Sequence, residues 1–174
     1  MDKMVLRIFQ TEVFKQCEFA ITSATYMNNV IHNADNKNNL WYFTQNFLIA
    51  SANVSKLLWG SKKKISQSRL PLRESLNIKE NSLIKSRELR NDFEHFDERV
   101  ESWSLESQRK NFMDSCIGPI NMFNGIDPED IFRHFDTHKM EITFKGKTYE
   151  LQPILDELIE VHSVAKCEAQ KAYS

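Results

Sequence analysis

Between Glu88 and Trp103 the chain reads ELRNDFEHFDERVESW, and three of its side chains are suited to work on a phosphodiester. His95 can take or give a proton near neutral pH. Arg90 can stabilise negative charge as it grows on phosphate oxygens. Asn91 can orient an imidazole or donate to an oxygen. On a helix, Asn91 and His95 are i,i+4 neighbours turned away from the apolar positions, and Arg90 lies about 140° around from His95. One such pair cannot enclose a phosphate, whereas two copies facing across a two-fold axis can, so a homodimer is expected. The same spacing also fits a plain surface in which Arg90, Glu94 and Glu98 pair at i,i+4 and His95 is merely exposed.

The run Arg90-Asn91-Asp92-Phe93-Glu94-His95 resembles the R-x4-6-H signature of the HEPN superfamily, in the form where a polar residue follows the arginine. The helical hairpin that precedes it is similar to that all-helical fold, over residues 9–104 in layout. The resemblance implies a metal-independent endoribonuclease with no cofactor, acting as a dimer in which both motifs contribute to one composite cleft. Under it His95 is the general acid/base, Arg90 the phosphate-stabilising group and Asn91 the positioning residue. Asp92 and Glu94 fall at variable positions and inherit no role. The ribose 2′-hydroxyl would attack the adjacent phosphate, leaving a cyclic phosphate and a 5′-hydroxyl. Many members serve in toxin–antitoxin or phage-defence systems, so an antitoxin or other regulatory protein joins RNA as an expected partner. The alternative is a non-catalytic HEPN-like helical module that binds a nucleotide or a protein. The chain departs from the minimal fold in residues 105–174, which follow the motif helix and include a hairpin. The motif helix is also rich in acids, which would repel RNA unless basic residues elsewhere compensate.

Those basic residues are sought in SKKKISQSRLPLR, residues 61–73. From Lys56 to Arg73 there are basic side chains and no acidic one, and Lys62, Lys63, Lys64 and Arg69 are candidate RNA-backbone contacts. A solvated linker is the competing interpretation. Arg133 to His138 (RHFDTH) is a second R-x4-H match, but it lies among turn signals with no long helix to position it. His134, Asp136 and His138 form H-x-D-x-H, too few ligands for a metal without a fourth partner; no metal is expected. His162 falls on the apolar face of the last helix and reads as a packing histidine.

The elements that must position the motif read as an all-α bundle of four to five helices with a small β-hairpin before the last. Val13, Cys17, Ala20, Ala24, Met27 and Ile31 line one face of a helix over residues 9–31. A polar stretch, residues 32–39, breaks it. A second helix spans 40–59, with Asn39 as its cap and Gly60 as its stop. The motif helix spans 82–103, with Leu89, Phe93, Phe96, Val100 and Trp103 toward the core. Residues 127–135 read as a short helix capped by Asp127. Gly146-Lys147 reads as a type II′ hairpin turn that places Ile142 opposite Leu151 and Phe144 opposite Tyr149. The last helix spans 153–172.

Composition agrees with one domain of 174 residues. Hydrophobic residues are 41%, enough for a core, and only 4 Gly and 4 Pro argue against a turn-rich β sandwich. A net charge of -1 gives no global nucleic-acid signature, so any basic surface must be local. Cys17, Cys116 and Cys167 share no metal-type spacing and read as reduced thiols of a cytoplasmic protein. No signal peptide or membrane-spanning run is visible, and no membrane partner is expected.

Overall fold

The computed structural model describes residues 1–33, 38–123 and 125–171. Helix α1 (Lys3–Asn33) and helix α2 (Asn38–Trp59) form an antiparallel pair. The direction follows from their contacts: Asn53 donates to Gln16, and Tyr26 stacks on Phe43 further along. Val13, Cys17, Ala20, Ala24 and Met27 are buried, as the period-3.6 stripe predicts. Leu40, Phe47, Val54 and Leu58 answer them from α2. The last helix, α7 (Gln152–Gln170), packs on α1 through Leu158, Val161 and Ala165. Helix α1 begins earlier than the apolar stripe suggests, because the Asp2 carboxylate accepts from the amides of Met4 and Val5. Asn39 lies inside α2 rather than capping it. Gly60 does end α2, at φ +65, and a Cβ there would meet Ile65 at 2.3 Å.

The expected linker at 61–73 is instead two short helices, α3 (Lys63–Ser68) and α4 (Leu70–Ser75). Arg73 fixes them by donating to the carbonyls of Leu58 and Ser66. The motif segment is not one helix either. A 3-10 turn at Leu83–Lys85 leads into α5 (Glu88–Glu94), which stops at His95 (φ -98, ψ 36) before α6 (Phe96–Glu106). No proline or glycine sits at the break. It falls where the apolar contacts change: Phe93 packs on Trp41 and Phe144, whereas Phe96 and Trp103 pack on Phe132. The turn is held closed, since the His95 amide still bonds to Asn91 and the Arg99 amide to His95.

The architecture is mostly helical rather than purely so. Residues after α6 build a four-stranded sheet in the order β1 (Cys116–Ile117), β2 (His134–Asp136), β3 (Glu141–Phe144), β4 (Lys147–Glu150). The first pair is parallel and the other two antiparallel. Residues 127–135 give one 3-10 turn, Pro128–Asp130, followed by strand, not the short helix expected. The hairpin exists, but its turn is Lys145-Gly146 and its register pairs Ile142 with Tyr149 and Phe144 with Lys147. Both turn residues have positive φ (46 and 80), which is a type I′ geometry instead of II′. Phe135, Ile142 and Phe144 bury the inner face of the sheet, Phe135 against Trp41 of α2 and Phe144 against Phe93 of α5. Asn124 of the expected turn and Ala172 of the last helix lie outside the described residues.

Candidate active site

Leu89, buried on α5, and Phe93, half-buried beside it, turn the opposite side of this helix to solvent. Asn91, Glu94 and His95 are exposed there, and Arg90 is half-buried at the edge. The Arg90 guanidinium donates to Asn91 Oδ1 at 3.2 Å and to Glu94 Oε1 at 2.8 Å. It is thus neutralised by Glu94 one turn on. His95 Nδ1 lies 3.3 Å from Glu98 Oε1. A carboxylate accepts only, so it favours a proton on Nδ1, and with the proton there the Nε2 lone pair is left for chemistry. In a single chain the motif is therefore two paired halves, Arg90 in an ion pair with Glu94 and His95 beside the Glu98 carboxylate, close to the pairing arrangement that the spacing also allowed.

The residue between them is structural. Asp92 accepts from Arg99 Nε at 3.0 Å and from the Tyr149 phenol at 3.3 Å, joining α5 to α6 and to β4. Burial, followed by the charges of Asp92 and Glu88, pushes the Tyr149 phenol well above its ordinary value. Lys147 pairs with Glu88 at the start of the same helix.

A cavity of about 400 Å³ opens beside Arg90, between α2, α5 and β4. Phe47, Leu48 and Ala52 form its apolar floor, and Arg87 lines it together with Arg90. Arg87 donates to the Gly60 carbonyl at 3.1 Å, which brings the end of α2, and with it the basic stretch, alongside the motif helix. Lys62, Lys63 and Lys64 are exposed at the head of α3. Arg69 is placed differently: its guanidinium lies 3.6 Å over the Phe9 ring and its Nε is buried without a partner. Desolvation lowers its pKa. The structure thus separates Arg69, a packing cation on α1, from the three solvated lysines.

The second R-x4-H match holds a sheet together. Arg133 makes an ion pair with Asp114, donating from Nε at 2.7 Å, and lies 4.6 Å from the Phe96 ring. His138 is exposed in the turn after β2. His134 and Asp136 are buried on β2 whereas the His138 side chain is exposed, and no group of three metal-ligating side chains forms among the described residues. His162 packs on Phe14 with ring centroids 4.9 Å apart, as a core-facing histidine should. Burial pushes the Cys17 thiol up to about 12, which makes it inert at neutral pH. Sequence reasoning gave no role to Arg87 or Tyr149, and none to Glu98 as the partner of His95. The i,i+3 spacing of Glu98 from His95 was a usable signal; the other two depend on contacts distant in sequence. Among the described residues no helix is long and apolar enough to cross a membrane. Compared with family models, curated proteins and solved structures, the chain matches none.

Proposed function

We propose that this chain is a HEPN-type, metal-independent endoribonuclease that works as a homodimer. The observation that carries the reading is the break at His95. It leaves the imidazole exposed at the junction of α5 and α6 with a carboxylate beside it, Asn91 exposed one turn away and Arg90 half-buried next to Asn91. In this mechanism the ribose 2′-hydroxyl loses its proton to the free Nε2 of one His95 and its oxygen bonds to phosphorus. The bond from phosphorus to the 5′-oxygen breaks, and that oxygen takes a proton from the His95 of a second copy. Arg90 exchanges Glu94 for the phosphate oxygens on which charge builds. The exchange trades one carboxylate partner for another anion, with Glu94, the more exposed member of the pair, released to water. The 400 Å³ cavity beside Arg90 has room for a base of the bound strand.

One observation favours the non-catalytic alternative: both motif side chains are already paired to nearby acids of the same segment. The deciding experiment is RNA cleavage in EDTA. Wild type is expected to yield cyclic-phosphate and 5′-hydroxyl ends, and His95→Ala to yield none. Wild type and His95→Ala behaving alike, each folded and dimeric, would leave the binding module as the better account.

A further inference from the structure

The sheet has a second face that the motif does not use. Pairing of His134 with Thr143, Asp136 with Glu141 and Thr143 with Thr148 puts these side chains on the side opposite Phe135 and Ile142. They line a cavity of about 320 Å³ whose other wall is apolar, formed by Ile120, Phe123 and Ile126. That volume suits a small molecule. Polar groups inside a protein are ordinarily satisfied, and here one is not. His134 is 1% exposed and its Nε2 lies 2.6 Å from the Gly118 carbonyl. A carbonyl only accepts, so Nε2 carries the hydrogen and Nδ1 is left as an acceptor. Nδ1 is buried and has no partner.

None of the neighbouring groups donates to it. Asp136 is 5% exposed, and one of its oxygens accepts from the amides of His138 and Lys139. Thr143 and Thr148 share a hydrogen bond with each other. Lys139, the cation at the rim, lies 4.0 Å from Glu141. The wall of the sheet is thus rich in acceptors, with two carboxylates against one lysine, facing an apolar roof.

We propose that this cavity binds a small organic cation, an amidine, guanidine or amine. Its N–H groups meet His134 Nδ1 and the Asp136 carboxylate, and its apolar body lies against Ile120, Phe123 and Ile126. The site is independent of the ribonuclease proposal and needs no second copy of the chain.

Benzamidine is the probe, because it joins a flat apolar ring to paired N–H donors. Benzoate, of the same shape and opposite charge, is the control. Titrated into the full chain with isoleucine methyl groups labelled, benzamidine is expected to shift Ile120, Ile126 and Ile131 saturably, and benzoate to leave them unmoved. Asp136→Asn should weaken binding about tenfold or more, as loss of a charge-assisted hydrogen bond does. Ile120→Trp, at the exposed lip and away from the polar wall, should block binding with the melting temperature unchanged. Unmoved methyl groups, equal binding of benzoate, or undiminished binding by folded Ile120→Trp overturns the proposal, whether or not Asp136→Asn folds.

Discussion

The phenol of Tyr149 donates to Asp92 across 3.3 Å, so the sheet grips the motif helix at a residue lying between Arg90 and His95. The motif's position is therefore set from β4 as much as from the helical hairpin. Replacing Tyr149 with Phe removes the bond and keeps the ring, and should cost about 1 kcal/mol in chemical denaturation. The pH dependence has a fixed sign. The folded protein holds the phenol proton to higher pH than the unfolded chain, so this contribution is intact below the unfolded value of about 10 and is lost as pH rises beyond it. Tyr149→Phe should accordingly show a shallower loss of stability above that pH than wild type.

His95 is exposed, and half-buried Arg90 lies at the cavity edge outside the apolar core, so removing either should spare the fold. His95→Ala and Arg90→Ala are each expected to lower RNA cleavage by about 10² or more with circular dichroism unchanged. Glu98→Gln, which keeps the shape but weakens the hold on His95, should give a smaller loss of about tenfold. Arg133→Ala is expected to act on stability instead, because it breaks the pair with half-buried Asp114.

Lys62, Lys63 and Lys64 should behave as a group distinct from Arg69. Changing the three lysines to Gln is expected to weaken RNA binding and to reduce its salt slope by about 1 for each phosphate no longer neutralised. Arg69→Gln should leave that slope unchanged and lower the melting temperature, since its guanidinium covers Phe9. A binding titration at several salt concentrations separates the two.

Gly60→Ala tests the junction between the hairpin and the basic helices. The residue sits at φ +65 with Ile65 where a Cβ would go. A loss of about 1–3 kcal/mol in unfolding free energy is expected. Because Arg87 bonds to this carbonyl, the same change should loosen the approach of the lysines to the motif.

The parts of this fold that were legible are those governed by local periodicity. The α1 stripe from Val13 to Met27 repeats at helical spacing, and each of its members is buried. The motif constellation was legible as residue types, but the break at His95 was not, because no proline or glycine marks it; the shift of partner from Phe144 to Phe132 is a tertiary cause. Strands β1 and β2 escaped notice since Cys116–Ile117 and His134–Asp136 are too short to show alternation and pair across a long loop. The hairpin register slipped because Gly146 by itself suits either primed turn, and Lys145 adopting positive φ decides between them. Arg69 looked like part of a basic loop because nothing in residues 61–73 announces Phe9 as its neighbour.

The packing of Phe93, Phe96 and Trp103 against the sheet bears on how the chain can be dissected. Their cover comes from Phe132 and Phe144, which a ribosome supplies only after the motif helix has been made. A fragment ending at Glu106 would carry the whole motif yet present an aromatic seam to water. It would aggregate rather than serve as a minimal enzyme. Truncation from the C-terminal side is therefore a poor route to isolating the chemistry, and residues 107–150 belong to the scaffold that any shortened version must keep.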